Sequence, residues 1–198
     1  MRPSFLILLV VLAAACRQKP DAATLTPEER QQYLQHGKEI TQAAFKTLSG
    51  ELKHAILVEQ SIPNGIRTCS QKAGMLTDSL SRAYHARIKR TSDKVRNPAN
   101  ALDEAEKLVW ADFVRQHTAG QKPAPRVSLL NDTTVAFYAP IMLKPLCMKC
   151  HGTVGQTIDT ADYRLIQSLY PDDRATGYKA GDLRGMWSVR FPRTLSGQ

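Results

Sequence analysis

The run Cys147-Met148-Lys149-Cys150-His151 constrains this chain more than any other feature. Cys-x-x-Cys-His is the attachment signature of c-type haem. Each residue in it has a separate duty. The two thiols add across the haem vinyl groups as thioethers, and the two-residue spacer sets the sulfurs at vinyl-to-vinyl reach. The adjacent imidazole is held under the iron as an axial ligand. Whatever the fold, it has to present these three side chains to one planar group. Three plainer readings compete. A thioredoxin-like dithiol would follow a strand and open a helix in a βαβ setting, and that pattern is missing here. A structural zinc site needs four ligands, and only Cys69 and scattered histidines remain to complete Cys147 and Cys150. The third is a plain disulfide.

The first residues bear on that choice. Arg2 gives a positive start, and Phe5 to Leu12 is an uninterrupted apolar run too short to span a bilayer. Ala13-Ala14-Ala15 then precede Cys16. The order resembles a bacterial lipobox, with Leu12 one position further upstream than the commonest pattern. It implies cleavage before Cys16 and lipid on that residue. The alternative is an ordinary signal peptide cut nearby. The expected organisation is a leader at 1–15, a polar tether at 16–25 and one domain at 26–198, its core at about 61–192. Export would place the protein in the periplasm or at the outer membrane, held by its anchor, and c-type haem is attached outside the cytoplasm. Spare thiols tend to pair in that compartment. Of the four cysteines, lipid takes Cys16 and haem takes Cys147 and Cys150, which leaves Cys69 without a partner.

The formal net charge is +9, and losing Arg2 with the leader changes it by one. For an exported chain this points away from nucleic acid. An anionic membrane surface, an acidic redox partner, haem propionates or a solvated basic face all fit.

Hydrophobic spacing predicts helices first and strands later. Thr26-Pro27-Glu28-Glu29 opens a helix with a capping box, and Tyr33, Gly37, Ile40, Ala44 and Leu48 form its stripe as far as about Gln60. A second helix follows Ser61, with Ile62, Ile66, Cys69, Ala73, Leu76 and Leu80 on one face. Arg87 to Ser92 reads as a strand. Asn100 is expected to cap a helix from about Ala101 to Thr118, closed by Gly120. Arg126–Leu130 and Thr133–Tyr138 flank Asn131-Asp132 as a hairpin. A helix near Ala161–Leu169, a turn-rich loop and a half-buried final strand, Leu183 to Phe191, complete the order. Helices preceding a small antiparallel sheet make the class α+β.

The sixth iron ligand is open on chemistry alone. Cys69, Met75, Met142, Met148, Met186, His36, His54, His85 and His117 are all candidates. Lone methionines are usually core filler, and a buried cysteine is often a small hydrophobe.

Four ordered blocks add a resemblance. Asn64 to Leu76 with Cys69, Lys94 to Asp103 with its Arg-Asn-Pro-Ala-Asn, Cys147 to Gly152, and Tyr170 to Gly185 resemble those of a bacterial single-haem c-type domain, long catalogued as a domain of unknown function. The chain departs from it after Cys69, where Gln71 to Gly74 lacks a usual proline. The resemblance implies a PAS-like fold with a helical hairpin ahead of the sheet. It also implies one covalent haem c, held by Cys147 and Cys150 with His151 and Cys69 on the iron. In the same reading Arg96 and Lys94 meet the haem propionates and Asn97 orders their loop, or that segment is a capped helix start with solvated charges. Trp110, Tyr138, Pro140 and Trp187 are candidate pocket walls or ordinary core.

The function expected is redox or small-ligand sensing, or electron transfer, with reduction releasing Cys69 from the iron. No kinase or cyclase segment is legible, so sensing calls for a separate signalling partner. Electron transfer calls for a docking face, for which Arg87 to Arg96 is the candidate. The rivals are a peroxidase-like haem enzyme using His85 or His117, and a haem-free dithiol oxidoreductase.

Overall fold

The computed structural model describes residues 24–193. The expected leader, most of the tether and Cys16 lie outside the described residues. No helix among the described residues is long and apolar enough to cross a membrane.

The fold is α+β, a helical pair followed by a four-stranded sheet. Helix α1 spans Pro27–Lys53. Thr26 and Glu29 form the predicted capping box, with Thr26 N donating to Glu29 Oε2 at 2.8 Å and Glu29 N to Thr26 Oγ1 at 3.1 Å. The buried stripe is Tyr33, Gly37, Ile40, Thr41 and Ala44. The α-helix stops short of the expected Gln60, because His54–Val58 widens into a π-helical turn. That turn buries Ala55 and Ile56 and is capped by Glu59, whose N–H donates to His54 O, and Gln60 follows at φ 50. Ser61 then caps α2, Ile62–Ala83, accepting from Asn64 N. Ile56 packs so close to Gly65 that a Cβ there would lie 2.6 Å from its Cγ1. The glycine lets the hairpin corner close.

Strand β1 is Arg87–Thr91. The next helix, α3, begins at Glu104 rather than Ala101. Asn97, not Asn100, makes the first cap, holding a single 3-10 turn at Pro98–Asn100. Ala101 then returns to extended backbone at φ −60, ψ 151. The helix starts at the next Asp-x-x-Glu, where Asp103 and Glu106 form a second capping box, and it runs to Thr118.

Strands β2 (Arg126–Asn131) and β3 (Thr134–Met142) make the predicted hairpin. Pro140 is tolerated in β3 because β2 pairs only as far as Tyr138, so β3 is an edge from there on. After β3 come a one-turn helix α4, Met148–His151, and helix α5, Thr160–Leu169. Strand β4, Leu183–Pro192, closes the fold. The sheet order is β1-β4-β3-β2, antiparallel throughout.

That order places β4 inside the sheet and corrects its expected half-burial. One face packs Trp187, Val189 and Phe191 under α1 with Tyr33, Ile40 and Phe137. The other face buries Met186, with Ala136 and Tyr138, under Val109, Trp110 and Phe113 of α3. Met186 is fully buried although it stands among the polar-face positions of the alternation. Trp110 and Tyr138 therefore belong to the α3-side core.

Helix α1 lies close on the sheet. A Cβ on Gly37 would overlap the Phe137 ring. Gly37→Ala is expected to destabilise the fold by about 1–3 kcal/mol through overpacking. Urea unfolding checks this, and a midpoint equal to the parent's would show that α1 can lift off the sheet freely.

Candidate functional site

A third cluster lies beside the sheet, between α2 and α5. Ile66, Ile158 and Ile166 are its buried residues, with Cys150, Val154, Tyr163 and Tyr170 packed against them. Cys69 sits one turn of α2 beyond Ile66. Burial raises its thiol pKa, opposed by the charges of Arg90 and Arg96. Arg96, in the loop after β1, donates to Cys150 O at 2.5 Å. Residues from α2, that loop, α4 and α5 are thus gathered at one place.

The Cys147–His151 segment is a 3-10 turn, Pro145–Cys147, running into α4. Gly152 ends it, because Thr157 folds back onto that position. A Cβ on Gly152 would overlap Thr157 Oγ1 and lie 2.7 Å from Met148 O. Thr157 Oγ1 accepts from Thr153 N at 2.9 Å and closes the loop.

His151 is fixed by a hydrogen bond. Its Nδ1 lies 2.7 Å from Ala175 O. A carbonyl only accepts, so Nδ1 carries the proton and Nε2 keeps its lone pair. The Arg184 Nε, 3.3 Å from the same Nδ1, cannot then hydrogen-bond to it. Burial, together with Arg96 and Arg184, holds the imidazole well below its ordinary pKa, so the ring is neutral. Tyr178 stands edge-on to it, ring centres 6.5 Å apart.

Ala175 is itself braced. Its N–H donates to Asp173 Oδ1 at 2.9 Å. Asp173 accepts from Arg96 Nε at 3.0 Å and Arg96 Nη2 at 3.3 Å. Arg96 Nη2 also donates to Cys150 O at 2.5 Å. The circuit closes from His151 through Ala175, Asp173 and Arg96 back to Cys150. Backbone bonds reinforce it, with Gly177 N donating to Gly152 O at 2.8 Å and Tyr178 N to His151 O at 3.0 Å. Arg96 is engaged with the chain, and Lys94 donates to Thr176 O at 2.7 Å. Asn97 is exposed and orders its turn by accepting from Ala99 N at 3.0 Å.

The other candidates are scattered. Met75 is 64% exposed on α2, and Met142 and Met186 belong to the α3-side core. His36 lies 5.4 Å from the Phe191 ring, and His54 lies 3.7 Å from Glu59. His85 is in the turn after α2 at φ 48, and His117 is in the last turn of α3. Met148 shares the turn of His151. Cys69 is the candidate that approaches from another element. Trp187 touches the site at one remove, lying under the Arg90 guanidinium at 5.9 Å.

The segment from Arg87 to Arg96 is not the basic face it resembled. Lys89 pairs with Glu106 at 2.7 Å, Arg90 lies over the Trp187 ring, and Lys94 and Arg96 bind the Asp173–Thr176 loop. Only Arg87 of its cations is exposed. Sequence reasoning missed Arg90, Arg184, Tyr178, Asp173 and the Ala175 carbonyl. The polar alternation of β4 marked Arg184, and the Tyr170–Tyr178 block marked Asp173 and Tyr178, but neither signal says what they face.

The donor set fits a haem. It offers two thiols and an imidazole with a free Nε2 on one short segment, a third thiol on the facing helix, and apolar packing beside them. It does not form a zinc site, since no group of three or more His, Cys, Asp or Glu among the described residues is arranged to hold a metal ion. Nor does it match the dithiol reading, since Cys147 and Cys150 enter a four-residue helix from a 3-10 turn, with no βαβ unit around them.

A family model described as Tll0287-like matches residues 14–192. No curated protein matches. The crystal structure of the cyanobacterial heme-protein Tll0287 is similar, with a TM-score of 0.59 and 22% identity over 87% of this chain and 100% of that one. At that identity the likeness is one of fold.

Proposed function

We propose, from the premise that this chain belongs to the Tll0287-like family, that it is a single-haem redox protein. Cys147 and Cys150 hold the group covalently, and His151 and Cys69 ligate the iron. The related crystal structure is titled a heme-protein, and that property is carried to this chain here. The observation that carries the reading is the state of His151. Its Nδ1 proton is given to Ala175 O, so Nε2 is the free donor beside the two thiols.

When bound, haem supplies a one-electron iron couple, and a cysteine sulfur on the iron favours the ferric form. The protein's part is positional. The Arg96–Asp173–Ala175 circuit fixes the imidazole, and α2 carries Cys69 to the same place. We place the protein outside the cytoplasm, on a lipid anchor at Cys16. Sensing is favoured over electron carriage, because the basic segment that would dock a carrier's partner is mostly turned inward.

Low-temperature EPR of the oxidised protein, made in a host competent for c-type haem attachment, tests the ligand set. A low-spin signal with the compressed anisotropy of thiolate ligation is expected, and Cys69→Ala is expected to abolish it. A widely spread low-spin signal, unchanged in Cys69→Ala, would assign the sixth position elsewhere.

A further inference from the structure

We propose that Arg90 and Arg184 form a carboxylate clamp that takes the two haem propionates. This rests on the haem reading above. Three guanidiniums stand about the site: Arg96 donates to Cys150 O at 2.5 Å, Arg184 Nε lies 3.3 Å from His151 Nδ1, and Arg90 stands on β1 over Trp187. Among the described residues, the only carboxylate in an ion pair with any of them is Asp173, and it belongs to Arg96 at 3.0 Å. Arg90 has an aromatic contact, 5.9 Å over Trp187. Arg184 has another, 5.5 Å over Tyr178. Its approach to His151 meets a nitrogen that already donates to Ala175. Both arginines are only partly exposed. A partly buried cation with no carboxylate partner is costly, and the usual remedy is an anion with hydrogen bonds to it.

Two of the three guanidiniums have no carboxylate partner, and haem carries two carboxylates. The guanidinium fork matches a carboxylate in charge and in paired hydrogen bonds. The two arginines also stand on neighbouring strands, Arg90 in β1 and Arg184 at the start of β4. The sheet therefore holds their spacing, whereas Arg96 lies in a loop and positions the chain itself.

The test uses the full chain with covalent haem, confirmed by its pyridine haemochrome spectrum. The propionate-bending bands in resonance Raman and the midpoint potential are compared in the parent, Arg90→Gln, Arg184→Gln and the two lysine variants. Each glutamine variant is expected to shift a propionate band and lower the potential. Lysine is expected to restore the potential, because it keeps the charge, but not the band, because it lacks the fork. Bands and potentials equal to the parent's in the glutamine variants would overturn the clamp and leave the haem reading standing. If a glutamine variant fails to fold, the lysine variant at the same position decides, and an unshifted band there overturns the clamp. A parent chain that takes no covalent haem would overturn both readings.

Discussion

A chain with serine at both Cys147 and Cys150 is expected to fold and to lose covalent haem completely. Both thiols are only partly buried, so the polar replacement is tolerable. At Cys150, which packs beside Ile66 and Ile166, burying a hydroxyl costs about 1–3 kcal/mol. Thioether formation has no route through serine, since the sulfur is the atom that adds to the vinyl carbon. Haem staining after denaturing electrophoresis and the intact mass of the chain read the result directly. Pigment that survives denaturation in the double variant would place the covalent link elsewhere and end the attachment reading. His151→Ala separates the other duty, because it keeps both thiols and removes the imidazole that Ala175 orients.

The second large effect is on stability, on the far face of the sheet. Glu106 is almost fully buried, with its Oε2 2.7 Å from Lys89 Nζ. Lys89 also donates to Ala101 O at 2.6 Å, and Arg190 pairs with Asp103 and lies 3.8 Å from Glu106 Oε1. Glu106→Ala leaves a half-buried ammonium facing no carboxylate and breaks the capping box of α3. A loss of about 3–5 kcal/mol is expected, as for other buried pairs cut on one side. Glu106→Gln keeps the shape and an acceptor oxygen, so its loss should be smaller. Urea unfolding followed by far-ultraviolet circular dichroism measures both. Equal midpoints for the parent and Glu106→Ala would mean that the network is screened by water and adds little.

Local rules carried the sequence reading a long way. Thr26 and Glu29 and then Ser61 act on neighbours within a few residues and do in the fold what the spacing predicted, and the hairpin at Asn131-Asp132 forms with its turn one residue further on, because Asn131 pairs with Thr134. The failures have particular causes. Asn97, Asn100 and Asp103 are all good caps in one short stretch, and tertiary pairing at Ser92 and Ala101 decided which one starts α3. The final strand alternates like a half-exposed one, but α3 covers its second face, and nothing local to β4 announces α3. The π turn at His54 is set by the packing of Ile56 on Gly65 across the hairpin corner.

The site divides in the same way. Cys147, Cys150 and His151 are legible because their chemistry is local. The support for His151 is not, since Arg96 and Asp173 stand 77 residues apart in sequence. Arg96 was expected to meet the haem propionates, and the carboxylate it meets in this structure is Asp173.

The two ends of the described chain meet at one corner. Arg193 Nη2 donates to Thr24 O at 3.1 Å and reaches Glu29 Oε1 at 3.4 Å. Along α1 the cysteine segment is elsewhere, because Lys144 lies 5.4 Å over the ring of Phe45. Phe45 is about 27 Å up the helix from Pro27 at the ordinary rise per residue. Adjacent ends far from the working residues suit a circular permutation or a cassette inserted into a host loop. Joining residue 193 to residue 24 and reopening the chain in the exposed loop after Gly120 would relocate the ends without touching α2, α4 or the loop that holds His151. A protein built this way can be carried at the end of a tether or spliced between two other segments with the same internal chemistry.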